Sequence, residues 1–496
     1  MINKFRRYVI AFFESNKDAV VISAIAAGLH PLLHYYNTNF GQVNSLEQLM
    51  FFIGLYLVFP LVLFVLTKLV FTYVVKSATL GSKVLAVLNT TAFILLLLLS
   101  TFGLDTFHTL IGIGVGVLLG LLLHKHIKKV IILQLLLAGF VFLQLAPDIK
   151  KHFTYSNDWM VQSDAIESVK FKSKPNIYLI QPDGYANFSE LNNEVYNFDN
   201  SEFESFLKAK AFKLYSGFRS NYNTTLSSNT SLFAMKHHYY NSPKPKSNEL
   251  YNARNIILGE TPAITTLKSN DYKTFLILES PYLLVNRPKL AFDESNIQYG
   301  DIPFLSRGFE LKRDVNRDLE AAIMANTSTQ NFFFIEKIAP GHIANSKASS
   351  TGKDNERKDY LNSLELANQW LMELIELIET KDPNALVIIM ADHGGYVGLE
   401  HSLQARQKQD SRDLVYSIFT SALAIKWPEN MSPYDEHLKT NVNLFRVLFS
   451  SLSENPSYLE HLESDDSYAI IAQGAPFGVY KVINAQGEVC FESYQN

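Results

Sequence analysis

Two hydrophobic rhythms divide the chain near residue 150. Before it, apolar residues run on almost without interruption; after it, short apolar runs alternate with polar-faced helical patterns. Five apolar spans stand in the first part, near residues 18–36, 49–75, 84–103, 107–124 and 130–147. Each approaches or exceeds the roughly 20 residues a helix needs to cross about 30 Å of hydrocarbon. The first is the weakest, interrupted by His30, Pro31 and His34, and the third is the clearest, with an unbroken leucine run at 95–99. Basic residues fall in every second loop: Lys4, Arg6, Arg7 and Lys17 precede the first span, Lys76 and Lys83 follow the second, and Lys125, Lys128 and Lys129 follow the fourth. Lys68, near the end of the second span, can snorkel to the same side. This alternation predicts a cytoplasmic amino terminus, and an odd number of spans then places everything after residue 148 outside the cytoplasmic membrane.

From residue 176 the period changes. Buried strands are predicted at 176–181, 213–216, 273–278, 331–335, 386–390 and 422–425, and helices at 201–210 and 360–380. Strands alternating with helices imply a layered domain with a largely parallel sheet. The fold class expected is therefore α/β: a bundle of about five transmembrane helices over 1–148, a connector over 149–174, and an exported α/β/α sandwich over 175–496. Lys150, Lys151 and Trp159 in the connector suit a membrane interface.

Composition sharpens this only in part. The net charge of −4 averages two unlike halves, and no basic patch is dense enough to suggest a nucleic-acid partner. Cys490 is the sole cysteine, so the exported part must build its core without internal disulfides. Nothing in the sequence sets an oligomeric state.

The chemistry concentrates after two of the strands. Residues 387–395 read Val-Ile-Ile-Met-Ala-Asp-His-Gly-Gly, a buried run ending in Asp392 and His393. Asp183 holds the comparable position after the strand at 176–181. Open α/β sheets place their ligands at these carboxyl ends. Carboxylate oxygen with imidazole nitrogen suits zinc or manganese, with magnesium or calcium as alternatives. Gly394 and Gly395 are expected to let the backbone turn sharply without a Cβ clash. Between the two sites, residues 219–233 form a polar stretch crowded with hydroxyls that leads into an apolar helix. A Thr hydroxyl there either caps the helix or, beside a cation, attacks phosphorus.

Together these blocks resemble the sulfatase-like branch of the alkaline phosphatase superfamily. The resemblance is carried by 175–184 (Pro-Asn-Ile-Tyr-Leu-Ile-Gln-Pro-Asp-Gly), the Thr/Ser stretch 220–235, the Phe-Ile-Glu-Lys-Ile-Ala-Pro-Gly-His segment ending at His342, and 391–394 (Ala-Asp-His-Gly). Five spans ahead of such a domain resemble lipoteichoic acid synthases and phosphoethanolamine transferases. The resemblance implies an alkaline phosphatase-like fold and one divalent metal ion held by Asp183, Asp392, His393 and the nucleophile. That nucleophile falls at Thr225, with Thr224 and Ser227 as competitors. His342 would face the substrate, stabilising charge or protonating the leaving oxygen, and His401 is a second candidate for that work. Asn221 and Arg219 are candidate contacts for a transferring phosphoryl group.

Two departures limit the carry-over. Position 229 is Asn where the sulfatase signature has Arg, and no Cys lies nearby, which disfavours formylglycine chemistry. The membrane-bound relatives carry Glu at the first metal position, where this chain has Asp183. The function expected is a membrane-anchored, metal-dependent phosphoryl-headgroup transferase or phosphodiesterase acting on envelope lipid or glycan. It would sit in a bacterial cytoplasmic membrane with its catalytic domain outside. The alternatives are a sulfuric ester hydrolase and an inactive envelope scaffold with the same fold. His237 and His238 are expected at the surface, Phe332, Phe333 and Phe334 in the core, and the charged run 353–358 in a solvated loop.

Overall fold

The computed structural model describes residues 10–15, 19–241, 250–429, 431 and 433–494. Lys4, Arg6, Arg7 and Lys17 lie outside the described residues. Two compact units result: Met1–Ser156 with Pro303–Arg307, and Asn157–Ile302 with Gly308–Asn496.

In the first unit every expected span falls on a helix, but the number long and apolar enough to cross a membrane is smaller than expected. Among the described residues three stretches qualify: Leu46–Val74, Ala78–Phe102 and Thr106–Thr154. The last takes in two helices, Thr106–Leu123 and Ile127–Thr154, which meet at the 3-10 turn His124–His126. Val20–Asn39, diluted by His30, Pro31 and His34, is not among the three. Asn89 and Gln134 pair through their side-chain amides at 2.9 and 3.1 Å, and Asn89 also donates to the Ser23 carbonyl at 2.8 Å. This pairing ties three helices together and satisfies polar groups buried among apolar side chains.

The second unit is built on a seven-stranded sheet. Its strands are β1 (Ile177–Pro182), β2 (Lys213–Leu214), β3 (Tyr272–Leu278), β4 (Glu294–Ser295), β5 (Gln330–Lys337), β6 (Leu386–Met390) and β7 (Leu423–Lys426), in the order β2-β7-β6-β1-β5-β3-β4. From β6 across to β4 every pairing is parallel, while β7 and β2 run antiparallel at one edge. Alternate residues of the central strands feed two separate cores, as expected for a sheet covered on both faces. Tyr178, Ile180, Phe333 and Ile335 pack with Leu364, Leu371 and Leu374 of the Lys353–Lys381 helix. Leu179, Phe332 and Phe334 pack on the other face with Phe233 of the Thr225–Ala234 helix and Phe445 of the Leu444–Ser453 helix. The unit is thus an α/β/α sandwich with a mostly parallel sheet. A three-stranded antiparallel sheet, β8 (Ser467–Ile471), β9 (Gly478–Ile483) and β10 (Val489–Ser493), follows and was not anticipated.

Two expectations do not hold. Residues 353–358 are the start of the Lys353–Lys381 helix rather than a loop, because Glu356 turns inward to accept from the Ala344 and Thr351 amides at 2.7 and 2.8 Å. His237 and His238 are buried, not at the surface: Tyr222 stacks on His238 with ring centroids 3.9 Å apart and bonds His237 Nδ1 at 3.0 Å. Within residues 149–174, Ile166, Val169 and Phe171 join the sheet's core.

Candidate metal centre

The carboxyl ends of β1 and β6 lie side by side, and the residues just past them build the site. Asp183 continues the β1 ladder by one step, its N–H donating to the Lys337 carbonyl at 3.0 Å. Gly184 then takes a φ of +69°, and a Cβ there would lie 2.2 Å from the Gly341 carbonyl oxygen. Only glycine allows so close an approach. The Gly341 N–H in turn donates to the Asp183 carbonyl at 2.9 Å, which fastens the His342 segment to the end of β1.

Past β6, Asp392 is fully buried, and its Oδ1 accepts from the Gly184 N–H at 3.1 Å. His393 donates from Nδ1 to the Gly394 carbonyl at 2.9 Å, which fixes the tautomer and leaves the Nε2 lone pair free for the site. Nε2 lies 3.3 Å from Asp392 Oδ2 and 3.6 Å from Asp183 Oδ1. The two glycines that follow serve close approach more than turning. A Cβ on Gly394 would sit 2.3 Å from the Ser417 carbonyl, and one on Gly395 2.2 Å from the Tyr360 ring.

The hydroxyl stretch resolves by position. Thr224 is the N-cap of the Thr225–Ala234 helix: its Oγ1 accepts from the Ser227 N–H and donates to Ser227 Oγ at 3.0 Å. Thr224 and Ser227 are therefore spent on each other. Thr225, the first helical residue, turns its Oγ1 to 3.3 Å from both Asp183 Oδ1 and His393 Nε2.

Asp183, Asp392 and His393 offer ligand atoms that lie within 4.8 Å of one another, and all three are buried. The donor set fits a divalent cation on the evidence of its own atoms. Asp392 Oδ2 is buried with no hydrogen-bond partner, and the His393 lone pair points at two carboxylates. Burial pushes the Asp392 carboxyl upward, against the pull of His393. Burial lowers His393, but the adjoining Asp392 and Asp183 carboxylates outweigh it and raise the imidazole above its usual value. Two carboxylates and an imidazole gathered this closely in a buried site suit a cation that exchanges with their protons.

His342 sits beside this group, its ring centroid 5.9 Å from that of His393 and 5.5 Å from that of Tyr396. Its Nδ1 donates to the Ile343 carbonyl at 2.6 Å. Burial and the neighbouring His393 lower its pKa below the ordinary 6.5, so it is neutral at pH 7 with Nε2 as an acceptor. His342 is thus prepared to take a proton before it gives one. With metal kept saturating, activity should stay level from pH 8 down to about 6.5 and fall only below it; His342→Gln should abolish that acid limb in a pH–rate profile.

The other expected residues lie differently. His401 follows at the head of the 3-10 turn Ser402–Arg406, with its Nδ1 buried and unpartnered, and the adjoining Ser402 N–H donates to the Ala344 carbonyl at 2.9 Å. It therefore shares a loop pair with His342. Arg219 and Asn221 are not brought to the triad as phosphoryl contacts. The Arg219 guanidinium donates to the Asp465 and Asn484 carbonyls at 2.6 and 2.9 Å, clamping the terminal sheet. Both ends of the Asn221 amide are committed to backbone, at Asp466 and Val442.

No family model and no curated protein sequence matches the chain. Solved structures do. The integral membrane lipooligosaccharide phosphoethanolamine transferase A of Neisseria meningitidis matches at 12% identity with a TM-score of 0.39, over 88% of this chain and 95% of its own. The lipoteichoic acid synthase LtaP of Listeria monocytogenes matches at 13% identity with a TM-score of 0.41, over 66% of this chain and 90% of its own. The periplasmic domain of EptC from Escherichia coli, in complex with zinc, matches at 12% and 0.41, over 63% and 93%. Likeness this slight carries no function across.

Four residues of the site escaped the sequence. Tyr360 donates to the Gly184 carbonyl at 2.9 Å, Tyr396 donates to the Asn223 carbonyl, and Asn441 donates to the Asp392 carbonyl at 3.4 Å. None of them carries a local signal, since each acts through backbone that is distant in sequence. Glu336 did carry one: it is an acid closing the all-apolar run Phe-Phe-Phe-Ile in a central strand. It is 1% exposed, and burial together with Asp183, Asp392 and Glu279 raises its pKa well above the usual carboxylate range.

Proposed function

We propose that the chain is a membrane-anchored, metal-dependent enzyme that moves a phosphoryl headgroup through Thr225. The observation that carries the reading is the placement of Thr225 Oγ1 at 3.3 Å from both Asp183 Oδ1 and His393 Nε2, on the first residue of a helix. The backbone N–H groups and positive dipole end of that first turn suit a phosphate anion. The four sequence blocks that resemble the sulfatase-like branch also fall together, around the carboxyl ends of β1, β5 and β6.

Asp183, Asp392 and His393 would hold one divalent ion, zinc or manganese by donor type, with Thr225 completing the set. That ion supplies charge neutralisation and lowers the pKa of the hydroxyl beside it. Thr225 Oγ gives up its proton and forms a bond to phosphorus as the bond from phosphorus to the first alcohol breaks; that alcohol leaves with a proton. In the second half, neutral His342 Nε2 takes the proton of an incoming sugar or lipid hydroxyl, or of water. That oxygen bonds to phosphorus, and Thr225 leaves and is reprotonated. An apolar anchor keeps the unit in the plane of lipid donors and envelope acceptors, raising their effective concentration. The basic residues at 76, 83, 125, 128 and 129 favour an orientation with the second unit outside the cytoplasm.

The test is intact mass of the purified full-length protein in detergent, loaded with zinc or manganese and given phospholipids of defined headgroup. An adduct of one phosphoryl-headgroup, mapped to Thr225, is expected. Stripping the ion with a chelator should abolish both adduct and product, and re-addition should restore them. Turnover that survives complete removal of the ion would sink the proposal.

A further inference from the structure

Two buried tyrosines pin a residue for which the Thr225 reaction has found no use so far. Asn223 stands two residues before Thr225, just outside the helix that Thr224 caps. Tyr396 donates to its backbone carbonyl, and the Tyr396 ring centroid lies 5.4 Å from that of His393 and 5.5 Å from that of His342. Asn223 is therefore one side chain away from the metal centre on one side and two residues from the nucleophile on the other.

The side-chain amide of Asn223 is held by its oxygen. Tyr240 donates to Asn223 Oδ1 at 2.5 Å, and its approach to the Tyr468 carbonyl is longer, at 3.4 Å. Burial pushes the Tyr240 phenol up, so it keeps its proton to give. The direction is enforced from behind: Thr224 Oγ1 donates to Ser227 Oγ at 3.0 Å, and Ser227 in turn bonds the Tyr240 hydroxyl. Each hydroxyl has one proton to give. The series Thr224, Ser227, Tyr240 thus runs one way and ends on Oδ1, which turns Nδ2 to the other side. Among the described residues Nδ2 has no acceptor, although Asn223 is only 6% exposed. Donors left open in so closed a place are costly unless something outside the chain accepts from them.

We propose that Asn223 Nδ2 donates to a non-bridging oxygen of the phosphoryl group as that group passes to Thr225. A phosphodiester has two such oxygens. A cation beside Thr225 would face one of them. Arg219 and Asn221 are committed to backbone carbonyls and amides elsewhere, which leaves the second oxygen to Asn223. The amide is neutral, so it adds no charge to compete with the metal ligands. It is also fixed before the substrate arrives, so nothing has to reorient as charge shifts onto the phosphoryl oxygens. The amide keeps its protons throughout. The bonds made and broken are those from phosphorus to Thr225 Oγ and to the departing alcohol. The inference rests on the Thr225 reading and adds to it a substrate contact.

The experiment uses the full-length protein in detergent, loaded with zinc and mixed with phosphatidylethanolamine or phosphatidylglycerol. The initial rate of adduct formation is read by quenched intact mass, with zinc content and unfolding temperature measured on the same samples. Asn223→Asp keeps an oxygen for Tyr240 and puts a carboxylate where the donor was. It should slow adduct formation more than a hundredfold while unfolding near the wild-type temperature. Asn223→Ala removes the donor without adding charge and should slow it about a hundredfold, the usual effect of losing one such donor. If the aspartate alters zinc content, the alanine variant decides. Tyr240→Phe leaves the donor in place but loosens it, and should slow the reaction less than Asn223→Ala. A residue that only braces the helix start predicts the reverse: Asn223→Asp would match wild type and Tyr240→Phe would do as much harm as Asn223→Ala. Either result overturns the proposal. A wild type that forms no adduct with either lipid is a different failure, since the Thr225 reading then falls and takes this contact with it.

Discussion

Thr225→Ala is expected to reduce turnover by about a thousandfold or more and to remove the covalent adduct, while Thr224→Ala leaves both in place. The hydroxyls are neighbours in sequence and opposite in role. Thr224 Oγ1 is engaged with Ser227 at the helix cap, whereas Thr225 Oγ1 lies between Asp183 and His393. Loss of a nucleophile that acts as one unit with its activating groups typically costs several orders of magnitude in kcat. Loss of an N-cap hydroxyl costs about 1 kcal/mol of stability. Thr225→Ser keeps an oxygen on the same carbon and should retain measurable activity and a serine-linked adduct. The decisive comparison is intact mass beside initial rate for the three variants. An adduct that persists in Thr225→Ala and vanishes in Thr224→Ala would move the nucleophile by one residue and void the assignment.

The difference between those two threonines marks where sequence reasoning runs out. Strand ends were legible because buried parallel strands read as apolar runs, and 386–390 matches Leu386–Met390 residue for residue. Asp183 and Asp392 were legible because they stop such runs abruptly. Their convergence was not, since it depends on β1 and β6 being neighbours in the sheet order, a tertiary fact. The hydroxyl stretch left three candidates open because each of Thr224, Thr225 and Ser227 has the right chemistry, and only the phase of the helix start separates them. Arg219 misled for a related reason. A guanidinium near a phosphoryl site invites an anion-binding role, yet burial at 4% exposure and the carbonyls of Asp465 and Asn484 absorb it. The charged run at 353–358 predicts a loop because charge alone gives no sign of the buried contacts of Glu356. The terminal sheet left no trace strong enough to compete with a parallel-sheet pattern.

Asp392→Asn should separate the stability of the site from its function. Without a cation, Asp392 is a fully buried carboxylate whose Oδ2 has no hydrogen-bond partner, with Asp183 as a further negative neighbour and His393 Nε2 at 3.3 Å as its one partial offset. Burial drives its pKa up to about 6. A carboxyl raised in the folded state contributes stability that is complete below its unfolded value of 3.8 and is lost as pH rises through about 6. Metal-free wild type should therefore become less stable between pH 4 and pH 7, a trend the amide cannot show at that position. The amide keeps an oxygen for the Gly184 N–H and offers an N–H toward the His393 lone pair, so it fits the metal-free site better than the acid does. At pH 7 the metal-free variant should unfold about 2–6 °C above metal-free wild type, the shift expected when a buried charge that His393 offsets only in part, worth about 1–3 kcal/mol, is removed. With zinc present at about a hundred times the dissociation constant, wild type should gain about 2.7 kcal/mol, while the variant gains little and shows no turnover. Thermal unfolding of both proteins with and without zinc, at pH 5 and pH 7, reads all of this in one series. A metal-free variant less stable than metal-free wild type at pH 7 would mean that the wild-type carboxylate is compensated by the protein alone, and the reading of Asp183, Asp392 and His393 as a cation site would lose its physical basis.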